Sequence, residues 1–154
     1  MSLLILLNLL LAFSTLDEAK SSAFFNWFHL EETSAADRVV TFEPTGARYH
    51  GKVKVVIKTD GLGNIQNTKL LVRHACAREI AKSFLKQQFA GEDLAHLDQL
   101  LNAADSHTHF ESRFPSGALL TMDDEDGWRV IFAGRNDGPK LGLSFSAYKL
   151  RMAF

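Results

Sequence analysis

Residues 105–111 read Asp-Ser-His-Thr-His-Phe-Glu, a short run rich in groups that hold metals or move protons. If the segment is extended, Asp105, His107, His109 and Glu111 share one face, because alternate residues of a strand point the same way. Two imidazoles flanked by carboxylates form a donor set suited to zinc or another divalent ion. If it is helical, Asp105 meets His109 and His107 meets Glu111. The competing reading is a solvated connection with Phe110 and Phe114 turned into the core. No His-Glu-x-x-His motif is present to decide between them.

Two other groupings invite chemistry. Asp123-Asp124-Glu125-Asp126-Gly127 has the composition of a calcium loop, but an EF-hand needs glycine sixth and glutamate twelfth. Counted from Asp123, glycine falls fifth and the twelfth residue is Gly134, so the run reads as a hairpin turn. Cys76 lies two residues after His74, and a thiol nucleophile needs a base within reach. It falls near the apolar stripe of a helix, where a free cysteine behaves as a small hydrophobe. As the only cysteine it excludes an intramolecular disulfide and every multi-cysteine metal site. Neither a Gly-x-Ser-x-Gly elbow, a P-loop nor a dinucleotide fingerprint occurs.

These side chains must be carried by regular elements. Residues 16–30 have helical spacing, with Leu16, Ala19, Ala23, Trp27 and Leu30 on one face and Phe24 and Phe28 beside it. Residues 31–37 are polar and read as a linker. The period then changes to two: Val40 and Phe42 alternate with Val39, Thr41 and Glu43. Val53, Val55 and Ile57 oppose Lys52, Lys54 and Lys58. The Asp60-Gly61-Leu62-Gly63-Asn64 turn leads into a partner strand over residues 68–73. Helical spacing returns with Ala77, Ile80, Ala81, Phe84 and Leu85. A second helix follows Gly91 and buries Leu94, Leu97, Leu101 and Ala104. Strand patterns close the chain at residues 118–122, 128–133 and 141–147, and Tyr148, Leu150, Met152 and Phe154 alternate as an edge strand would.

The expected architecture is therefore α+β. An antiparallel sheet of about six strands, in the order α-βββ-αα-βββ, carries its helices on one face. The 154 residues, 46% hydrophobic and 23% charged, suit a single globular domain over residues 15–154. Seventeen basic against 18 acidic residues leave a net charge of -1, which argues against nucleic-acid binding. Residues 3–13 are apolar apart from Asn8, and Ala12-Phe13-Ser14 offers small residues for cleavage, so residues 1–14 read as a secretory signal peptide. The segment is shorter than the about 20 residues a membrane span needs.

These features favour an exported, periplasmic or extracellular, non-enzymatic module that binds another protein, with Lys52, Lys54 and Lys58 as its contact row. The alternative is a metal-binding protein or metal-dependent enzyme built on Asp105, His107, His109 and Glu111. A further alternative is a membrane-tethered domain, held by the uncleaved first segment and the aromatics Phe24, Phe25, Trp27 and Phe28.

Overall fold

The computed structural model describes residues 15–135. The leader at residues 1–14, the strand expected at residues 141–147 and the alternating tail lie outside the described residues. Two short helices, α1 (Leu16–Lys20) and α2 (Ala23–Phe28), come first among the described residues. Four strands follow: β1 (Leu30–Ala36), β2 (Val39–Pro44), β3 (Val53–Thr59) and β4 (Ile65–Arg73). A 3-10 turn (His74–Cys76) leads into α3 (Ala77–Gln88) and α4 (Leu97–Asp105). Then come β5 (Phe110–Arg113), β6 (Ala118–Glu125) and β7 (Trp128–Arg135). All seven strands form one antiparallel sheet in the order β1-β2-β3-β4-β7-β6-β5.

The mixed α+β class and the antiparallel sheet match expectation, but the strand count and helix order do not. The residues 31–37 read as a linker are β1, and β5 occupies part of the segment read as a connection. Both are edge strands. β1 is exposed along nearly its whole length, so no apolar alternation marks it, and glutamates at Glu31 and Glu32 help keep this edge from pairing with other chains. The single helix expected over residues 16–30 is two. Ser22 accepts a hydrogen bond from the Phe25 amide at 3.3 Å, capping a new helix and resetting the helical phase. Phe24, Phe25 and Phe28 are buried as a result, and Trp27 is 71% exposed rather than on the packed face.

Alternation divides the sheet into a core face and an open face. On the core face, Phe42, Val55, Leu70, Ile131, Met122 and Phe110 follow one another across the ladders of β2, β3, β4, β7, β6 and β5. Ile80, Ala81, Phe84 and Leu85 of α3 and Leu100, Leu101 and Ala104 of α4 cover that row. Phe25 of α2 packs edge-on against Phe42, with ring centroids 4.9 Å apart. α4 begins at Leu97, so Leu94 and Leu97 are only partly buried and Leu100 takes a core position.

Val53, Val55 and Ile57 are 1%, 0% and 0% exposed, which fixes the face of β3 that meets the core. Lys52 and Lys58 are exposed, whereas Lys54 is half-buried with its ammonium 5.7 Å from the Trp128 ring centre. Val55→Ala removes two core methyl groups and should cost about 1–3 kcal/mol. Lys54→Ala loses an exposed-type cation–π contact and should cost about 0.5–1 kcal/mol. Denaturant melts measure both, and equal costs would mean that the core face of β3 is wrongly assigned.

Candidate metal centre

Three segments meet at one end of the sheet. On the core face, Val72 of β4, Arg129 of β7 and Asp124 of β6 lie side by side in the ladder. His74 is two residues beyond Val72, in the turn that leaves β4 for α3. His107 precedes β5, and the pairing of Phe110 with Met122 brings the residues before Phe110 alongside Asp124. Topology thus gathers His74, His107 and Asp124, whose candidate donor atoms all lie within 4.8 Å of one another.

The Asp124 carboxylate engages both rings. Oδ1 bonds to His74 Nε2, and Oδ2 lies 3.4 Å from His107 Nδ1. The two imidazoles stack with centroids 4.0 Å apart and planes inclined by 27°, so they offer nitrogen edges to the same carboxylate. The His74 hydrogen bond, and secondarily the one to His107, hold the Asp124 carboxyl below the ordinary carboxylate range despite partial desolvation. The side chains of His74, Asp124 and His107 are 19%, 34% and 67% exposed, which leaves the cluster open to solvent on the His107 side.

The backbone carrying His107 is fixed from below by Arg129. Its side chain has no exposure, and Nη2 donates at 2.8 Å to the carbonyl of Ala103 in α4 and at 2.8 Å to that of Thr108. Nε and Nη1 are buried without partners among the described residues. Burial lowers the Arg129 pKa, and the nearby Asp123 and Asp124 oppose that shift. A guanidinium in this place ties the end of α4 to the loop entering β5, so the spacing of His107 and Asp124 is set by the core.

The side chains singled out at residues 105–111 divide into three groups. His107 joins His74 and Asp124. Asp105 faces Arg78, with Oδ2 3.3 Å from Nη1. His109 points with Glu111 to the open face, where its Nδ1 lies 2.6 Å from Asp123 Oδ1 and its Nε2 lies 3.9 Å from Glu111 Oε1. Asp123 and Asp124 are consecutive in β6, so they address opposite faces and each takes a different histidine partner. The bend at residues 106–108 keeps His107 and His109 from sharing a face. His74 and Asp124 escaped the sequence analysis as partners because they are 50 residues apart. Asp126 and Gly127, both at positive φ, make the hairpin turn expected there, linking β6 to β7. Cys76 is half-buried, and its thiol donates to the Arg73 carbonyl at 3.4 Å.

Two nitrogens and a carboxylate oxygen form the donor set of first-row transition ions, zinc included, and not of calcium or magnesium, which prefer oxygen alone. Bonds of about 2.0–2.1 Å in a tetrahedral centre separate donors by roughly 3.4 Å. The His107–Asp124 distance of 3.4 Å meets that requirement. The tighter His74–Asp124 contact must open to admit an ion. Comparison with known proteins returns no match among family models, curated proteins or solved structures.

On the open face, the hydrogen bond to Asp123 is the main cause of a His109 pKa raised above its ordinary value of 6.5. A raised histidine pKa contributes stability below the unfolded-state value, and that contribution is lost as pH rises through the folded-state value. Asp123→Asn should therefore destabilise the protein at pH 5 and leave it unaffected at about pH 9. A nuclear magnetic resonance titration should place the His109 midpoint above 6.5 in the parent protein and nearer 6.5 in Asp123→Asn. A parent midpoint at or below 6.5 would contradict the ion pair.

Proposed function

We propose that this chain is a metal-binding domain that takes a zinc-class divalent ion at His74, His107 and Asp124. The convergence of two stacked imidazoles on one carboxylate carries the reading. Three protein ligands with one solvent-facing side would leave a coordination position for water or a further ligand, the pattern of reactive rather than purely structural zinc sites. His109, Glu111 and Asp123 stand on the opposite face and belong to a separate ion-pair cluster.

An ion that binds the folded state preferentially raises stability by RT ln(1 + [ion]/Kd), about 2.7 kcal/mol at a hundredfold excess over Kd. Zinc added to metal-stripped protein should therefore raise Tm, and chelation should reverse the rise. His74→Ala, His107→Ala and Asp124→Ala should each remove the response, while His109→Ala keeps it. No saturable zinc response, or a response lost only in His109→Ala, would overturn the assignment.

A second reading, a protein-binding module, is favoured by the open face of the sheet. Lys54 and Lys58 of β3 and Lys69 and Arg73 of β4 form a basic stripe around Trp128, whose ring lies 3.9 Å from the Arg73 guanidinium carbon. Lys52 stands just before β3, beside this stripe. Rim charges steer association without setting the fold. Lys54→Glu with Lys58→Glu should weaken capture of a cognate acidic partner about tenfold and change Tm by less than about 3 °C. Unchanged capture by the double variant would remove the stripe as a contact surface.

A further inference from the structure

Where β3 begins and β4 ends, a pocket of about 290 Å³ opens beside the first turn of α3. It shares no residue with the histidine–carboxylate centre. Its walls carry three cations, Arg48, Lys52 and Arg73, and one carboxylate, Glu79. Glu79 is already engaged: its Oε1 accepts from the Tyr49 hydroxyl at 3.0 Å and lies 3.8 Å from Arg48 Nη2. Neither Lys52 nor Arg73 pairs with a carboxylate among the described residues. The pocket therefore keeps a surplus of positive charge in a chain whose net charge is -1.

Both guanidiniums lie against aromatic rings, Arg73 closely and the exposed Arg48 more loosely. The Arg73 guanidinium carbon lies 3.9 Å from the centre of the Trp128 ring, and that of Arg48 lies 5.1 Å from the centre of the Tyr49 ring. Tyr49 in turn packs edge-on against the buried Phe28, with centroids 4.9 Å apart. A guanidinium resting on a ring as closely as that of Arg73 loses little freedom when it binds, and the planar forks of both arginines match the oxygens of a phosphoryl group. The volume lies at the small end of ligand pockets, which run from about 300 to 1,000 Å³, and so suits a compact anion better than a nucleotide.

We propose that Arg48, Lys52 and Arg73 form a binding site for a small soluble phosphate or phosphate monoester. Three cations against one engaged carboxylate match a dianion. Concave walls concentrate the field where the ligand would sit. The thiol of Cys76, the chain's only cysteine, lines the same pocket and supplies a built-in reporter of occupancy.

The test follows alkylation of Cys76 by iodoacetamide and amide chemical shifts during titration with inorganic phosphate, glycerol 3-phosphate and, separately, vesicles containing phosphatidic acid. Chloride at matched ionic strength is the control. Saturable shifts at Lys52 and Cys76 are expected, with alkylation slowed severalfold at saturation. Lys52→Gln combined with Arg48→Gln should weaken binding about tenfold, whereas Lys58→Gln on the open face leaves it unchanged. If the double variant does not fold, Lys52→Gln alone makes the same comparison. No response beyond chloride, equal loss in Lys58→Gln, or a response confined to vesicles containing phosphatidic acid would each overturn the proposal.

Discussion

Arg129 is the one charged side chain fully buried among the described residues, and the end of the sheet that carries the histidines is organised around it. A buried guanidinium demands acceptors, and it finds them on two segments that share no secondary structure, at Ala103 and Thr108. Those bonds oblige α4 to end, and the chain to enter β5, at a fixed height above β7. Removing a partner from a buried charge costs several kcal/mol, so neither segment can drift without penalty. The same cation lies beside Asp124 in the ladder, and that carboxylate opposes the lowering of the Arg129 pKa by burial. Core packing and site electrostatics thus meet in one residue.

The second constraint is the one-sided burial of the sheet. Among the described residues helices cover a single face, so each pair of consecutive strand residues is divided between core and open face. Asp123 and Asp124 show the consequence. Asp124 is turned toward the helical layer, where His74 and His107 meet it, and Asp123 is turned to the open face, where His109 meets it. Two histidine–carboxylate clusters with different surroundings arise from adjacent residues. The inner one joins two stacked rings to one carboxylate, with His74 half-buried and His107 open to solvent. The outer one is an exposed ion pair whose contribution depends on pH.

The basic residues follow the same partition. Lys54, Lys58, Lys69 and Arg73 decorate the open face over β3 and β4, while Glu111, Asp123 and Glu125 lie toward β5 and β6. A nearly neutral chain therefore presents a polarised surface, which whole-chain charge conceals. Arg73 sits at the rim between this face and the pocket lined by Arg48, Lys52 and Glu79, with its guanidinium against Trp128.

The central strands were legible in the sequence because each has one face in the core and one in water, which imposes a period of two on Val53, Val55 and Ile57 and their neighbours. α3 was legible for the corresponding reason at helical spacing. The edge strands β1 and β5 were not: an edge exposed on both faces, or only four residues long, imposes no apolar period. Phe24 and Phe28 announced a packed helix, but the Ser22 cap that rotated Trp27 to the surface acts through a single hydrogen bond. Of the candidate site, the sequence marked His107 and its acidic neighbourhood, since those residues are adjacent along the chain. It could not join His74 to Asp124, nor separate His107 from His109. Strand pairing decided the first and the bend at residues 106–108 the second, and both depend on contacts between segments that composition and local period do not encode.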